Sequence, residues 1–352
     1  VKMFSHNQTI LNNQLYIQDL DAVSKIITDM DSLRNSAFLI TGASGLICSA
    51  IVDLLIYISG IHNLNITVYA AGRSKEKIES RFEKKAIFVQ YDAIQPFLFD
   101  KKVDYIIHGA GNANPKLYMQ EPVETMMASI VGIKNLLEYA KKVKAKKVNF
   151  ISSSEVYGKK ETTAMFTEEQ YGYVNLLNVR SCYPMAKRAA ETLCCSFAAE
   201  HNVLVSIVRP GHIYGPTANA NDSKISSDFS YKAARGEDLI MNSNGRQIRS
   251  YCHCLDCATA ILYVLLKGKS CEAYNISNEK SVITIREMAE YIAKAGNVKL
   301  KFDTPSDQEE KAFNPMENSS LDSTKLMSLG WKGLLSAEDG FAHTVKILSQ
   351  MI

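Results

Sequence analysis

The amino-acid sequence predicts an α/β protein with a doubly wound parallel sheet and a smaller α/β lid. From Ala37 onward, short runs of β-branched residues alternate with amphipathic stretches, which is the pattern of parallel strands joined by crossover helices. The chain has 352 residues and a hydrophobic content of 46%, so it can bury one large core or two unequal ones. After Gly215 the alternation breaks up, and this later part of the chain predicts the lid.

The alternating region contains the predicted strands and the helices between them. The strands are predicted at Ala37–Thr41, Asn65–Ala70, Ala86–Tyr91, Val103–His108, Lys147–Ser152 and Val203–Val208. The helices with apolar residues at helical spacing are predicted at Gly45–Ile58, Pro122–Lys142 and Tyr183–His201. Successive units of this kind form a doubly wound sheet, which binds ligands outside the carboxyl ends of its strands.

The remaining segments give the predicted domain organisation. Residues 1–35 form an N-terminal extension, whose scattered apolar positions predict a short helix on the edge of the main domain. The main domain covers residues 36–220, and residues 254–280 return to it. Residues 221–253 and 281–352 are assigned to the lid, which we expect to be built from separate pieces of chain.

Charge and hydropathy exclude several classes of partner. The 40 basic and 37 acidic residues are spread through the chain and give a formal charge of +3, so we expect no nucleic-acid partner. The apolar stretch from Ile51 to Ile58 contains Asp53 and is much too short to cross a bilayer. No basic leader precedes a cleavable apolar segment. These features predict a soluble cytoplasmic protein with no membrane partner.

The eight cysteines are expected to be reduced packing residues, because several lie within apolar helix or strand patterns. Cys252, Cys254 and Cys257 cluster around His253. This cluster lacks a second pair of ligands, whereas closed zinc sites normally need four convergent ones. We therefore predict no metal site.

The segment from Phe38 to Cys48 has the pattern of a buried strand, a glycine turn and a helix start. Such a turn directs backbone amides and the positive end of a helix dipole at a pyrophosphate. Gly42 permits the tight turn and Gly45 the close approach of phosphate, because a Cβ at either position would intrude. Cys48 replaces the third glycine of the TGxxGxxG pattern, which serves helix packing. The candidate dinucleotide-binding residues of the turn are Gly42, Ser44, Gly45, Leu46 and Ile47.

Three further candidate dinucleotide-binding residues follow predicted strands. Asp92 follows the third strand, where this arrangement often contacts an adenine ring, although it would equally suit a helix cap. Ala110 follows the fourth strand. Arg73 follows the second strand, where an acidic residue would accept the ribose hydroxyls of NAD and an arginine pairs with a 2′-phosphate. By this chemistry alone, the sequence leans slightly to NADP.

Tyr183 and Lys187 lie four residues apart on one face of a predicted helix. The ammonium group of Lys187 should lower the pKa of Tyr183 from about 10 toward working pH, so that a phenolate takes a hydroxyl proton as hydride leaves the same carbon. Ser153 and Glu155 follow a central strand, where Ser153 would bond the substrate hydroxyl and Glu155 would act as a general acid or base. The simpler alternative is a strand-end turn whose serines satisfy backbone groups.

Together these motifs resemble those of extended short-chain dehydrogenases/reductases that act on nucleotide sugars, the NAD-dependent epimerase/dehydratase family. The resemblance runs from about Ala37 to about Tyr274 and includes residues 108–111, residues 209–216 and Arg249. It implies a Rossmann domain that binds a nicotinamide dinucleotide. It also implies a homodimer formed by the helices Pro122–Lys142 and Tyr183–His201.

Within this family, the sequence is most similar to UDP-glucuronate decarboxylases, in residues 114–122, 153–158, 169–175 and 180–183. By that resemblance, the enzyme would oxidise C4 of UDP-glucuronate with NAD, release carbon dioxide from the β-keto acid and reduce the ketone to UDP-xylose. The resemblance favours NAD over NADP. The substrate-binding residues that we assign by it are Pro115, Tyr118, Ser154, Asn175, Arg180, His212, Lys224 and Arg249.

Two positions differ from the patterns of related enzymes. Ser154 stands where similar 4,6-dehydratases present an aspartate that protonates the departing hydroxyl, and its loss should slow elimination roughly a hundredfold or more. His212 stands where these enzymes commonly have an asparagine near the nucleotide diphosphate. The nearest alternative is a nucleotide-sugar 4-epimerase or a 4,6-dehydratase of the dTDP-glucose type. A non-catalytic dinucleotide-binding sensor on the same fold is a remote alternative.

Overall fold

A computed structural model describes residues 9–303 and 316–352, with the backbone alone for residues 115–117. Its strands are β1 Ala37–Thr41, β2 Thr67–Gly72, β3 Ile87–Gln90, β4 Tyr105–His108, β5 Lys147–Ile151, β6 Val205–Pro210, β7 His212–Tyr214, β8 Leu239–Met241, β9 Ile248–His253, β10 Ala273–Ile276, β11 Val282–Thr284 and β12 Leu300–Phe302. Within the described residues, seven strands form one parallel sheet with the order β10-β6-β5-β4-β1-β2-β3. The predicted doubly wound parallel sheet is confirmed.

Helices cover both faces of this sheet. The helices of the described part are α1 Gln14–Ser24, α2 Leu46–Ile61, α3 Lys75–Phe82, α4 Pro115–Gln120, α5 Pro122–Val143, α6 Cys182–His201, α7 Ile225–Ala234, α8 Cys254–Lys267, α9 Ile285–Gly296, α10 Thr324–Met327 and α11 Ala337–Met351. One face is covered by α2, α3 and α8, which contribute Ile51, Ile78 and Ile261 to its core. The other is covered by α5 and α6, which contribute Leu136 and Ala190. Apolar side chains are thereby buried on both sides of the strands.

The direction of winding reverses between β1 and β4. From β1 the chain runs outward through β2 and β3, and it then returns to β4 on the other side of β1 and continues through β5 and β6. The crevice outside the carboxyl ends of the strands at such a switch point is where open α/β sheets bind ligands. The ends of β1, β4 and β5 therefore mark the place of the candidate site.

The chain after residue 211 adds two smaller sheets. One has the order β11-β9-β7, and the other pairs β8 with β12. A separate core, which includes Phe229, Met288 and Phe341, packs them with α7, α9 and α11. Because β7 precedes residue 220, the first strand of this region comes from the segment that the sequence assigns to the main domain. The domain limits themselves stay a prediction.

The predicted helix of the N-terminal extension is α1, and it lies against α2 and α8 rather than at an edge. Tyr16 of α1 donates a hydrogen bond to Asp53 of α2 at 2.7 Å, and Arg81 of α3 donates two to the same carboxylate, at 3.0 and 2.5 Å. Asp53 is fully buried. A buried carboxylate is stable only with such partners, so this residue joins three helices.

The strand starts show where local backbone conformation overrides the hydrophobic pattern. β2 begins two residues later than predicted, because Asn65 has a φ of +53°, a left-handed value that a strand does not contain. β6 also begins two residues late, since Asn202 has a φ of +56° and caps α6. β10 was not predicted as a strand, because its place depends on pairing with β6. No helix of the described residues is long and apolar enough to span a membrane.

Candidate active site

The turn between β1 and α2 is built around Gly42. Its φ of +70° is left-handed, and a Cβ added to it would lie 2.9 Å from the backbone N and Cα of Ala110. The turn therefore holds the end of β1 directly against the end of β4. Ser44 and Gly45 are exposed between β1 and α2, and Leu46 and Ile47 begin the helix. This geometry suits a dinucleotide, because a pyrophosphate would meet the exposed amides and the positive end of α2.

Cys48 occupies the third position of the glycine pattern, and its packing explains why a larger residue than glycine is accommodated. The side chain is buried. A Cβ added to Gly109, just after β4, would lie 2.3 Å from the Cys48 Sγ. The bulk that Cys48 adds on the helix is therefore matched by the absence of a side chain at Gly109. No local pattern in the sequence indicates this pairing.

The other candidate dinucleotide-binding residues also follow strands of the sheet. Arg73 is exposed directly after β2. Asp92 is half-buried after β3, and its Oδ1 accepts a hydrogen bond from the amide of Ile94 at 3.1 Å, so it caps a turn and not a helix. The amide of Ala110, after β4, donates to the Thr41 Oγ1 at 3.4 Å. All three lie at the carboxyl edge of the sheet.

Tyr183 and Lys187 lie on the buried face of α6, next to the end of β5. The Lys187 Nζ donates to the carbonyl oxygen of Ile151 at 2.8 Å and lies 4.7 Å from the centre of the Phe150 ring. Ser153 follows β5, close enough to Tyr183 that its side chain lowers the pKa of the phenol. The fold thus brings the predicted tyrosine, lysine and serine together at the end of one central strand.

The expected effect of Lys187 on the acidity of Tyr183 is wrong for this arrangement. Burial raises the pKa of Tyr183 above its ordinary value, the Ser153 side chain lowers it, and the charge of Glu155 raises it further. Burial also lowers the pKa of Lys187 to about 8, against the opposing charge of Glu191. The ammonium group binds a backbone carbonyl and lies 5.9 Å from the centre of the Tyr183 ring. Desolvation is thus the largest cause of both pKa shifts, and the charge of Lys187 is not among the causes that act on Tyr183.

Glu155 forms a bidentate ion pair with Arg180. The Arg180 Nη1 and Nη2 donate to the two carboxylate oxygens at 3.0 and 3.2 Å. Although partial burial lowers the pKa of Arg180, the Glu155 carboxylate raises it overall. The Tyr118 hydroxyl donates a hydrogen bond to the Glu155 Oε1 at 3.5 Å. The ring of Tyr118 stacks on the ring of Tyr183, with the ring centres 5.2 Å apart. The predicted residues Glu155, Arg180 and Tyr118 therefore form one cluster beside Tyr183.

A second group of predicted residues lies beyond the end of β6. His212 begins β7 and pairs in register with Tyr251 of β9. Arg249 lies on the same strand, two residues before Tyr251. Arg249 is buried and its Nη1 donates to the carbonyl oxygens of Ile248 and Met316, at 2.9 and 3.1 Å. Burial lowers the pKa of His212 to about 4, and the charges of Arg249 and Lys224 lower it as well. Lys224 and Arg249 thus place two positive charges near a neutral His212.

Among the described side chains, no hydrogen bond joins Asn175 or Ser154, two further predicted substrate residues, to these groups. Asn175 is exposed, and its Oδ1 accepts a hydrogen bond from the amide of Leu177 at 3.2 Å, so it caps a local turn. Ser154 is half-buried and begins a short 3-10 turn after Ser153. Pro115 begins α4, but its side chain lies outside what the structure describes. The charged and aromatic residues Arg180 and Tyr118 contact Glu155, whereas Asn175 and Ser154, which were assigned by their positions near motifs, make local contacts.

Two buried polar groups at the site were missed. His108 ends β4, hydrogen-bonds to Thr41 at 2.7 Å and stacks on Phe150, and burial lowers its pKa to about 3. Arg209 of β6 pairs with Glu191 of α6 at 2.7 and 3.0 Å and fixes the loop after β5. In the sequence, each of these residues is visible only as a polar residue near the end of an apolar strand. That pattern does not indicate which residue of another element is its partner.

The three cysteines near the start of α8 are buried, and His253 caps that helix by accepting a hydrogen bond from the amide of Leu255 at 3.4 Å. In the described ranges 9–303 and 316–352, no three histidine, cysteine or acidic side chains are grouped so that they could hold a metal ion.

Comparison with known proteins agrees with this geometry. Residues 38–277 match the family described as "NAD dependent epimerase/dehydratase family". The chain is 33% identical over 294 residues to UDP-glucuronic acid decarboxylase 6 of Arabidopsis thaliana, which covers 79% of this chain and 83% of the relative. It resembles the solved UDP-glucose 4-epimerase of Thermotoga maritima, with a TM-score of 0.75, 22% identity, and coverage of 89% and 99% of the two chains. For the dTDP-glucose 4,6-dehydratase of Streptomyces venezuelae the TM-score is 0.76, with 22% identity and coverage of 89% and 97%. The two solved structures bear out the fold.

The matched segment begins in β1 and ends just after β10, so it contains the glycine turn, Ser153, Tyr183 and Lys187. The cofactor in the family description is NAD. The lean toward NADP that follows from Arg73 alone is therefore overturned. This chain belongs to the NAD-dependent epimerase/dehydratase family.

Proposed function

We propose that this protein decarboxylates UDP-glucuronate to UDP-xylose through a 4-keto intermediate. The observation that carries the proposal is the convergence of Ser153, Tyr183 and Lys187 beside the Glu155–Arg180 ion pair at the end of β5. The name of the Arabidopsis relative supports the same reaction. When bound, NAD supplies the hydride acceptor and later the hydride donor.

The residues at the end of β5 would handle the proton of the sugar hydroxyl. Tyr183 takes the proton of the C4 hydroxyl, and Ser153, whose side chain lies close to Tyr183, holds that hydroxyl in line. Lys187 supports the tyrosine through its position on the same helix face and its bond to Ile151. Because burial opposes the phenolate, Tyr183 has to release its own proton to solvent before it accepts the proton of the C4 hydroxyl as hydride leaves C4.

Loss of carbon dioxide then needs little further acid or base. In the 4-keto acid, the bond between C5 and the carboxylate breaks, and its electron pair moves into an enolate whose oxygen is at C4. Tyr183 and Ser153 lie where they can donate to that oxygen. Protonation of C5 regenerates the ketone, and hydride and proton return to C4. The atoms balance as UDP-glucuronate giving UDP-xylose and carbon dioxide.

The residue after Ser153 argues against dehydration. Elimination of a hydroxyl needs an acid to protonate the leaving group, and residue 154 is a half-buried serine. A 4-epimerase is the second candidate, because oxidation and reduction at C4 require the same Ser153, Tyr183 and Lys187. Its product would have the mass of the substrate.

The test is mass spectrometry of the purified protein incubated with UDP-glucuronate and NAD. We expect a product lighter by one carbon dioxide that is absent with Tyr183→Phe and present with Tyr57→Phe. Tyr57 is a suitable control because its hydroxyl bonds Asp21, on α1. A product of unchanged mass would indicate an epimerase, and loss of water from a dTDP-hexose a dehydratase. If no nucleotide sugar in such a panel reacted while NAD still bound, the sensor alternative would replace the enzyme.

The quaternary structure and the compartment are further parts of this proposal. The predicted homodimer would use α5 and α6, where Val123 and Met127 are exposed apolar residues. Sedimentation equilibrium would distinguish the dimer from a monomer, and Met127→Lys should shift the equilibrium toward the monomer. A cytoplasmic location stays a prediction.

A further inference from the structure

His212 lies where an anionic group of the substrate would contact the chain. It directly follows Gly211 and the carboxyl end of β6, at the edge of the sheet that binds ligands. In the parallel pair of β7 and β9, His212 is opposite Tyr251, and their ring centres are 5.7 Å apart. Arg249 is two residues before Tyr251 on β9, so the three side chains share one face of the small sheet.

The imidazole of His212 has a buried, unused hydrogen-bonding atom. Its Nδ1 is inaccessible to solvent and has no hydrogen-bond partner among residues 9–303 and 316–352. A buried polar atom of this kind costs free energy unless it meets a partner. Because His212 as a whole is only half-buried, a ligand can reach another part of the ring, and beside the cations Arg249 and Lys224 the ligand that fits is an anion.

The elements packed against β7 carry both cations and carboxylates near His212. β9 contributes Arg249, and Lys224 precedes α7, where it pairs with Asp222 at 3.2 Å. On α2 the carboxylate is Asp53, which is held by Arg81, and on α8 it is Asp256, which accepts hydrogen bonds from the amides of Leu334 and Leu335. The carboxylates of α2 and α8 are thus engaged elsewhere, and the cations dominate at His212.

We propose that His212 takes up a proton when the diphosphate of the nucleotide sugar binds, so that the ligand converts a neutral imidazole into a third cation of its site. This inference rests on the proposed function with a UDP-sugar, although it does not depend on the release of carbon dioxide. Two negative charges beside the ring favour the protonated form, which donates from both nitrogens. An asparagine at this position would supply a hydrogen bond without any change of charge.

Binding of the diphosphate should become tighter as the pH is lowered. Without the diphosphate, burial, Arg249 and Lys224 lower the pKa of His212 to about 4, so the ring is neutral at pH 7. With the diphosphate bound, the pKa is higher. Between these two values binding takes up one proton, and the affinity should rise by up to about tenfold for each pH unit that the solution is lowered.

The test is isothermal titration calorimetry of the NAD-loaded Tyr183→Phe protein with UDP-glucose. The Tyr183→Phe change prevents turnover, and UDP-glucose has no phosphate proton that titrates near neutrality, whereas free UDP does. Titrations in two buffers of different ionisation enthalpy, at about pH 6 and about pH 8, give the number of protons taken up. We expect net uptake near pH 6 and a Kd that falls as the pH is lowered.

His212→Asn should still bind UDP-glucose near pH 8 but lose the proton uptake, whereas substitution of the exposed His62 by asparagine should leave the uptake unchanged. Binding without proton uptake at either pH in the parent protein would overturn the proposal, even if the His212 variant failed to fold. Failure of UDP-glucose to bind at any pH would also overturn it. Proton uptake in a protein that does not release carbon dioxide from UDP-glucuronate would support this inference while rejecting the decarboxylase.

Discussion

At the scale of single residues, the ion pair between Glu155 and Arg180 determines whether Glu155 is available as an acid or base near Tyr183. A carboxylate with both oxygens engaged by a guanidinium is a poor free base, so the role of general acid or base predicted for Glu155 requires the pair to open. The proposed substrate, UDP-glucuronate, carries a carboxylate on C5, next to the carbon that we propose is oxidised, and that group would compete with Glu155 for Arg180. The pair is partly exposed, with 31% and 47% of the two side chains accessible, so its opening is energetically feasible.

Removing Arg180 should therefore harm turnover more than stability. We expect Arg180→Gln to lower kcat/KM for UDP-glucuronate by about tenfold to a hundredfold, equivalent to about 1.4–3 kcal/mol, because both Glu155 and the substrate carboxylate lose a bidentate partner. Arg180→Lys should recover only part of the loss, since an ammonium group lacks the planar fork.

The matched control is Arg286→Gln, which removes an exposed arginine paired with Glu290 at 2.9 Å within α9. Steady-state kinetics with UDP-glucuronate and thermal unfolding of each variant separate the two effects. Equal kcat/KM for Arg180→Gln and Arg286→Gln would show that the ion pair is only structural.

At the scale of elements, the position of α2 on the sheet depends on the packing of Cys48, on α2, against Gly109, just after β4. Cys48 on α2 fills the space left at Gly109, where a Cβ would also lie 3.1 Å from the Ile151 Cδ1. The same helix starts at the glycine turn, so any displacement of α2 would change the amides that face the dinucleotide.

Gly109→Ala should accordingly destabilise the protein and weaken NAD binding together. Overpacking of a buried site typically costs about 1–3 kcal/mol, and we expect a loss in the free energy of unfolding of that order in urea titrations. Because the closest contact is the Cys48 Sγ, the double variant Cys48→Ala, Gly109→Ala should regain part of the stability. Strictly additive effects of the two substitutions would mean that the side chains do not compete for the same space.

At the scale of the whole molecule, the two ends of the described chain are joined. α1 contacts α11 as well as α2 and α8, and the Nδ1 of His343 on α11 lies 2.9 Å from the Oδ1 of Asp19 on α1. The hydrogen bond to Asp19 raises the pKa of His343, against a smaller lowering by burial. Stabilisation from a histidine of raised pKa is fully present below its unfolded value and is lost as the pH rises through the higher folded value.

We therefore expect His343→Gln to be destabilised relative to the parent protein below about pH 6.5, by a few tenths of a kcal/mol to about 1 kcal/mol because the histidine is partly exposed. The difference should shrink as the pH rises through the folded-state pKa of His343. Urea unfolding at several pH values measures it, with the exposed His62→Gln as the control. A difference that grows with pH would contradict the assigned ion pair.

The sequence by itself determined the layers of the fold and the chemistry at its strand ends. Parallel strands and crossover helices impose distinct hydrophobic periods, and these periods placed α5 and α6 to within one residue at each end. Glycines at a strand-to-helix turn, and a tyrosine and lysine one helical turn apart, are local patterns whose chemistry depends on spacing alone. They predicted the dinucleotide turn and the pair at Tyr183 and Lys187.

Only the tertiary structure decided which distant groups are partners and how burial changes them. The pairs Cys48 with Gly109, His108 with Thr41 and Glu155 with Arg180 join different elements, and no local pattern specifies them. The acidity of Tyr183 was predicted in the wrong direction, because charge spacing is visible in the sequence and desolvation is not. Desolvation depends on every atom packed around a group, and that packing exists only in the folded chain.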